Sequence, residues 1–258
     1  MSQQLANIHP NAQIAENVII EPFATIEEDT VIGEGTWIGS GAVVMNGARI
    51  GKNCKIHNHA VISCEPQDLK YEGEVTTTII NDNAVIREFA TISKGTADRY
   101  KTVIGESTLV MAYGHVGHDC IVGKNCIIGN VTQLGGHCNI DDFAIISAMS
   151  AVHQFSKIGC HVMVAGGSIV VKDIPPYVMA ARNPISYHGI NSVGLKRRGF
   201  DKEVIYNIQN IYRQIYFGGL NYSEAIKKIE VETSASTERD IIADFIRNSE
   251  RGIIKASV

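Results

Sequence analysis

The sequence predicts a parallel β-helix, a rod of short strands wound around a triangular core, followed by a small α-helical domain. An aliphatic residue recurs every six positions from Ile8 to Val170, and 25 of the 28 positions in this series are Ile, Val or Leu. A small residue follows four positions later in most repeats. Three such hexapeptides form one coil, in which the large residues fill the interior and the small residues fit the corners.

Two segments of the coil lack the repeat. The three exceptions to the aliphatic series, Asp68, Glu74 and Asp98, fall in or beside residues 65–75 and 97–101. Because the series resumes in the same phase after each segment, we expect both to be loops ejected from the coil. Insertions of this kind often form the binding face of a solenoid protein.

The repeat ends near Pro175-Pro176, and the remaining chain has the pattern of helices. Apolar residues spaced by about 3.6 positions predict helices near 204–218, 223–231 and 237–250. We therefore divide the chain into a coil domain, residues 1–186, and an α-helical domain, residues 187–258.

Composition excludes several classes of protein. The chain has 23 Lys and Arg against 27 Asp and Glu, and this balance argues against a general nucleic-acid binder. No apolar run approaches the roughly 20 residues of a membrane helix, and the start does not resemble a secretory signal. The six cysteines form no CxxC motif. This pattern is typical of a reducing compartment, so we expect a cytoplasmic protein.

The residues best suited to chemistry lie at one corner of the predicted coil. Equivalent residues of successive coils stack, so His118, Gly136 and Gln154 form one outward column. An exposed histidine beside a glycine N–H suits general-base catalysis with stabilisation of an oxyanion. The adjacent Asp119 would orient the imidazole. Ordinary polar corners of a solenoid are the alternative interpretation.

Two further clusters allow other interpretations. His115, His118 and His137 would suit a zinc site, although the γ-class carbonic anhydrases use an H-x4-H pair and this chain has H-x2-H. The basic run Lys196-Arg197-Arg198 suits a phosphate group, or is the solvated end of a helix. Flat arrays of outward threonines, typical of ice-binding β-helices, are not present in the repeat.

Five segments resemble the UDP-N-acetylglucosamine acyltransferases of lipid A biosynthesis. They are QDLKYEGE (67–74), AYGHVGHDCIVG (112–123), DDFAIISAMSAVHQF (141–155), IPPYVMA (174–180) and GLKRRGF (194–200). The resemblance covers nearly the whole chain and implies a left-handed β-helix that forms a homotrimer with active sites between subunits. It also implies transfer of an R-3-hydroxyacyl group from acyl carrier protein to the glucosamine 3-hydroxyl of UDP-N-acetylglucosamine, without a metal or other cofactor.

The resemblance implies a role for each matching residue. It makes His118 the general base, Asp119 the carboxylate that orients it, and Gly136 the oxyanion donor. Gly166 falls where the family has a ruler of acyl-chain length. The residues implied to contact substrates are Asp68, Lys70, His115, His137, Gln154, Asn191, Arg197 and Arg198.

Two positions depart from the family pattern. Ser93 stands where the family often has histidine, and Val193 where an acidic residue is expected. The runner-up is the related N-acyltransferase of the same pathway, which usually carries an N-terminal uridine-binding domain; a coil that begins at Ile8 leaves no room for one. An acetyl-CoA-dependent hexapeptide transferase is disfavoured by the GLKRRGF and QDLKY segments.

Overall fold

The protein is a three-sided coil with helices at its C-terminal end. The computed structural model describes residues 5–256, which contain 27 strands and four helices. In chain order, β1 to β27 are Asn7–Ile8, Gln13–Ile14, Ile19–Ile20, Thr25–Ile26, Val31–Ile32, Trp37–Ile38, Val43–Val44, Ala48–Ile50, Lys55–Ile56, Val61–Cys64, Thr77–Ile80, Val85–Ile86, Thr91–Ser93, Lys101–Ile104, Leu109–Val110, His115–Val116, Ile121–Val122, Ile127–Ile128, Gln133–Leu134, Asn139–Ile140, Ile145–Ile146, Ala151–Val152, Lys157–Ile158, Met163–Val164, Ile169–Val170, Val178–Ala181 and Ser186–Ile190.

Successive strands enter three sheets in turn. Sheet A takes β1, β4 and every third strand to β25; sheet B takes β2, β5 and every third strand to β23. Sheet C takes β3, β6 and every third strand to β24, and is completed by β26 and the antiparallel β27. The corners between the sheets are called here the A–B, B–C and C–A corners, for which residues 117–120, 123–126 and 129–132 are examples.

In-register stacking places the predicted aliphatic series inside the prism. In sheet A, Val116 pairs with Leu134 and Leu134 pairs with Val152, each one full coil further along the chain. Every aliphatic member of the series from Ile20 to Val170 is buried. The packed interior therefore fixes which residues of each coil face outward.

The corners have a recurring backbone conformation. The third corner residue adopts a left-handed conformation at most corners, as Asp119 does with φ 57° and His137 with φ 62°. Asn, Asp and His tolerate this region better than most residues. The fourth corner residue is small and buried, as Cys120 is. The cysteines of this column are thus packing residues.

Both ejected loops leave the coil at the A–B corner. The first, residues 65–76, joins β10 to β11, and the second, residues 94–100, joins β13 to β14. Across the first loop Ile62 pairs with Ile92, and across the second Ile92 pairs with Val116, so aliphatic still stacks on aliphatic. The inward phase is kept across both insertions. Lys101, which we assigned to the second loop from the sequence, is instead the first residue of β14.

Four helices follow in the described residues. They are α1 (Ser192–Arg197), α2 (Lys202–Phe217), α3 (Tyr222–Glu232) and α4 (Thr237–Arg247). The last three match predicted helices, whereas α1 was missed because so short a helix with a single buried apolar side chain shows no period. The Tyr212 hydroxyl donates to the Pro176 carbonyl at 2.5 Å and so ties α2 to the end of the coil. The domain boundary after residue 186 remains a prediction.

Within residues 5–256, no helix combines the length and the apolar character that crossing a membrane requires.

Two buried threonines of the coil provide a matched test of its stability. The Thr108 hydroxyl donates to the Gly123 carbonyl at 2.7 Å and accepts from the Cys126 N–H at 3.0 Å, whereas the buried Thr102 hydroxyl has no partner among the described residues. We expect Thr108→Val to lower the free energy of unfolding by about 1–3 kcal/mol, because a buried N–H loses its acceptor. Thr102→Val should leave the free energy unchanged or raise it. Denaturant unfolding of both variants checks this, and equal losses would contradict it.

Candidate active site

The A–B corner brings together the central residues of the predicted site. His118 and Asp119 occupy the second and third positions of one corner, and Gly136 and His137 occupy the same positions one coil later. Gln154 lies one coil further and is exposed. The corner therefore presents the column that the period predicted.

His118 and Asp119 form a hydrogen-bonded pair. His118 Nδ1 lies 2.8 Å from Asp119 Oδ2, and the Asp119 side chain is fully buried. Burial raises the pKa of the Asp119 carboxyl, but hydrogen bonds from Thr96 and His118 outweigh burial and hold the pKa below its ordinary value. An ionised carboxylate only accepts, so neutral His118 carries its proton on Nδ1. Its Nε2 is then free to accept a proton.

Gly136 lies directly against the reactive edge of His118. A Cβ atom at Gly136 would be 2.5 Å from His118 Nε2, so close approach rather than backbone conformation requires glycine here. The same second corner position binds anionic oxygen elsewhere in the coil: the Lys124 N–H donates to Asp142 Oδ1 at 2.7 Å. Among the described residues, the Gly136 N–H has no such acceptor. It is a backbone donor beside a potential base.

His137 is held as a neutral ring beside His118. The two rings meet edge to face with centroids 4.9 Å apart, and His137 stacks on Phe155 at 4.4 Å. Asp98 Oδ2 lies 3.1 Å from His137 Nδ1, but outside a hydrogen-bonding direction. Burial lowers the pKa of His137, in spite of the opposing effect of Asp119.

The alternative set of three histidines is not formed. His115 Nδ1 lies 2.7 Å from the Thr91 hydroxyl, and burial, followed by the charge of His118, lowers the pKa of His115. Among the described residues, the cluster of three potential metal ligands is His118, Asp119 and His137. Since the Asp119 carboxylate already accepts the His118 Nδ1–H, the cluster has the geometry of an oriented base.

Two clefts in the described part of the chain flank His118. One has a volume of about 430 Å³ and the other about 310 Å³. Asp68 Oδ2 lies 4.0 Å from His118 Nε2, so the first ejected loop reaches the base. The first cleft is lined by residues including Gln67, Ser93, His115, Gly136 and Gln154, and the second by residues including Asp68, Lys70, Asp98, His137 and Phe155.

The residues expected near a nucleotide lie at a different corner of the same chain. Asn191 is buried and donates from Nδ2 to the carbonyl of His161, at the B–C corner. Arg198 Nη2 donates to the Phe143 carbonyl at 3.0 Å, also at the B–C corner, and Arg197 is exposed beside it. One chain alone does not bring these residues to His118.

The remaining predicted positions are also dispersed. Gly166 is exposed at the C–A corner. Ser93 is buried in the wall of the larger of the two clefts, with its hydroxyl 3.6 Å from Cys64 Sγ. Val193 is 57% exposed on α1. Ser93 therefore faces the site, whereas Val193 belongs to the B–C side.

Comparisons with known proteins identify the family. Residues 173–254 match the family model described as Udp N-acetylglucosamine O-acyltransferase, domain 2, and residues 29–64 and 101–136 match that of the bacterial transferase hexapeptide (six repeats). An acyl-[acyl-carrier-protein]--UDP-N-acetylglucosamine O-acyltransferase from Aliivibrio fischeri is 48% identical, over 99% of this chain and 100% of the relative. The chain belongs to the UDP-N-acetylglucosamine O-acyltransferase family. A relative of the same name from Thiobacillus denitrificans is 47% identical over 97% of both chains.

A solved structure from the family agrees with the fold. The UDP-N-acetylglucosamine acyltransferase from Bacteroides fragilis superimposes with a TM-score of 0.97 at 51% identity, covering 99% of this chain and 100% of that chain. The fold class predicted from the sequence is thereby confirmed, as a left-handed parallel β-helix of hexapeptide repeats followed by helices.

His161, at the B–C corner, is partly buried, and its buried Nδ1 has no hydrogen-bond partner among the described residues. Its ring stacks between Phe143 and Tyr177. Burial, followed by the nearby charge of Arg198, lowers the pKa of His161 from 6.5 to about 4. Between these values the unfolded chain binds a proton that the folded chain does not, so stability falls as the pH drops through this window.

We expect His161→Phe to reduce this loss of stability between pH 6.5 and pH 4, because phenylalanine keeps the stacking but does not titrate. Denaturant unfolding as a function of pH measures the difference. His9→Gln, at the first corner of the coil, is the control. An unchanged pH dependence in His161→Phe would show that protonation of His161 is not the cause.

Proposed function

We propose that this protein transfers an R-3-hydroxyacyl group from acyl carrier protein to the glucosamine 3-hydroxyl of UDP-N-acetylglucosamine, the first step of lipid A biosynthesis. The observation that carries this proposal is the His118–Asp119 pair directly facing Gly136. The activity named for the Aliivibrio fischeri and Thiobacillus denitrificans relatives supports the substrates.

The chemistry follows from the three groups. Neutral His118 accepts the proton of the sugar 3-hydroxyl on Nε2 while the hydroxyl oxygen attacks the thioester carbonyl carbon. The Asp119 carboxylate stabilises the imidazolium that forms, and the Gly136 N–H donates to the tetrahedral oxyanion. When the intermediate collapses, the carbon–sulfur bond breaks and His118 returns the proton to the thiolate. This direct transfer needs neither an acyl-enzyme nor a metal or other cofactor.

The flanking clefts would hold the substrates around this centre. Asp68 and Lys70 reach the smaller cleft from the first loop, beside His137. His115 and Gln154 line the larger cleft. We infer that these five side chains bind the sugar and the start of the acyl chain.

We infer that the working enzyme is a homotrimer, because two outward surfaces are apolar along several coils. One is the outer face of sheet C and the other is the C–A corner. The first comprises Val85, Leu109, Ile127, Ile145 and Met163, and the second the exposed side chains of Phe23, Phe89, Tyr113, Val131 and Met149. Burial of such continuous apolar surface favours association.

The triangular cross-section then explains how the site is completed. When three C–A corners meet at a central axis, sheet A of one copy faces sheet C of the next. The far edges of these two sheets are the A–B corner of one copy and the B–C corner of the other. His118 of one copy thereby approaches Arg198 of the next, and Arg198 Nη1 is buried without a partner among the described residues. This arrangement suits the phosphates of the nucleotide, and the face of sheet C forms the wall along which the acyl chain extends toward Gly166.

The acyl carrier protein would dock near the same junction. Lys196 and Arg197 are exposed on α1, and a basic surface complements an acidic carrier protein. The six cysteines, all within the described residues, are free thiols. We place the reaction in the cytoplasm, where thiols remain reduced.

Acyl transfer from a series of 3-hydroxyacyl carrier proteins of increasing length tests the chemistry. We expect product with the wild type, and a rate about 10²–10⁴-fold lower with His118→Ala because the general base is removed. Gly136→Ala should also lose most of its rate, since the added methyl collides with the imidazole. His9→Ala is the control. Near-normal turnover by His118→Ala would overturn the role of the base, and a wild type inactive with every donor would overturn the function.

Mixed oligomers test the site between copies. His118→Ala and Arg198→Ala damage opposite sides of the same junction, so each variant alone should be nearly inactive. When the two variants are expressed together in equal amounts, about three quarters of the trimers are mixed and each mixed trimer has one intact junction, so we expect recovery of about a quarter of wild-type activity. Mixing the separately purified variants without subunit exchange is the control. No recovery in co-assembled trimers would show that each site lies within one chain.

A further inference from the structure

We propose that Thr96 and Arg99, in the second ejected loop, are positioning residues that hold the Asp119 carboxylate in the orientation that fixes His118. This inference rests on the proposed function, in which His118 is the base. Neither residue belongs to the repeat, and neither was a candidate from the sequence.

The Asp119 side chain is fully buried, so its charge requires hydrogen-bond donors from the protein. His118 Nδ1 supplies one of them. The others come from a segment that lies earlier in the chain, outside the repeat.

That segment is the loop 94–100, which encloses the carboxylate. The Thr96 N–H lies 3.0 Å from Asp119 Oδ1 and 3.1 Å from Oδ2, and the Arg99 N–H donates to Oδ1 at 3.2 Å. The Thr96 hydroxyl donates to Oδ2 at 2.7 Å. Since Oδ2 is also the acceptor of the His118 Nδ1–H, the Thr96 hydroxyl and His118 share one oxygen and fix its direction.

The Arg99 side chain anchors the loop to the coil. Its Nη1 lies 2.8 Å from the Asp119 carbonyl oxygen and 2.8 Å from Asn139 Oδ1. Asn139 is the outward residue of β20 in sheet B, one coil further on. The guanidinium therefore joins the loop to two successive coils.

The second loop is also tied to the first. The Ala97 N–H donates to Glu74 Oε1 at 3.0 Å, and the Thr76 hydroxyl donates to the Gly95 carbonyl at 2.6 Å. The first loop carries Asp68, which faces His118 Nε2. The hydrogen bonds of the second loop thus reach Nδ1 of the imidazole through Asp119, and they also tie down the first loop, whose Asp68 lies 4.0 Å from Nε2.

The expected consequence concerns the tautomer of His118. A carboxylate held on Nδ1 keeps the proton there and leaves Nε2 as the base; loss of this orientation allows the inactive tautomer. Removing the Thr96 hydroxyl should therefore slow the chemical step and leave substrate binding nearly unchanged.

The test compares Thr96→Val, which keeps the shape of the side chain, with Thr96→Ser, which keeps the hydroxyl. We expect kcat of Thr96→Val to fall about 10-fold or more, because a hydrogen bond to a charged group is lost, with KM for both substrates within about twofold of wild type. Thr96→Ser should retain most of the rate. In a His118→Ala background, Thr96→Val should cause little further loss, because the two residues act through one base.

A second readout does not depend on turnover. In protein labelled with ¹⁵N-histidine, the His118 nitrogen shifts report the fraction of molecules with the proton on Nδ1. This fraction should fall in Thr96→Val and stay close to wild type in Thr96→Ser, with thermal unfolding confirming that both variants are folded. If the wild type has no transferase activity, the proposed function fails while the tautomer measurement still decides the positioning role. Wild-type kcat and tautomer in Thr96→Val would overturn the inference, as would a loss that Thr96→Ser shares equally.

Discussion

The parallel stacking of coils in one register is the constraint on which the rest of the molecule depends. Inward aliphatic side chains interlock from coil to coil, and strands in register hold equivalent corners at the sheet spacing of about 4.8 Å. His118 and Gly136 are neighbours for this reason alone, since a full turn of the coil separates them along the chain. A slip of one residue would exchange inward and outward positions, and would remove the base and the backbone donor from each other.

The coil and the loops make different contributions to the site. The corner supplies rigid positions: a second residue with a free N–H and a third residue in a left-handed conformation, occupied by Gly136 and Asp119 respectively. For the buried Asp119 carboxylate the corner supplies one donor, His118 Nδ1. The loops supply the others, because Thr96 and Arg99 donate to Asp119, and they also place Asp68 on the open side of the imidazole. A repetitive scaffold thus acquires an asymmetric site only where it is interrupted.

The sequence predicts the parts of this arrangement that the period encodes. The stacking of Gly136 beside His118 follows from counting residues, as does the unbroken phase on either side of the loops. The loop contacts of Thr96 and Arg99 do not, because an ejected segment has no repeat from which its path can be read. The alternative of a zinc site on His115, His118 and His137 does not match the ligand cluster of the described residues, because His115 lies in a strand, not at a corner, and its Nδ1 lies 2.7 Å from the Thr91 hydroxyl.

The C-terminal part shows a similar division. The apolar period of Ile208, Ile211 and Ile215 predicts α2, whereas the short α1 has no such signal. The charge of Arg198 indicates a phosphate contact, but its place at the B–C corner follows from how the helices pack back on the coil. That packing depends on contacts distant in sequence, such as Tyr212 with Pro176, which local patterns do not reveal.

The even spacing of the coils has a consequence for selecting a linear substrate. A groove that runs along the rod offers the same wall at every rung, and two methylene groups are shorter than one rung. Such a wall makes similar contacts with chains of different length. If the acyl chain lies in such a groove, as we propose, discrimination between homologues must come from where the groove is closed, and a single side chain at one rung would set the cut-off. Such an enzyme would change its product by one substitution while its reacting groups stay the same.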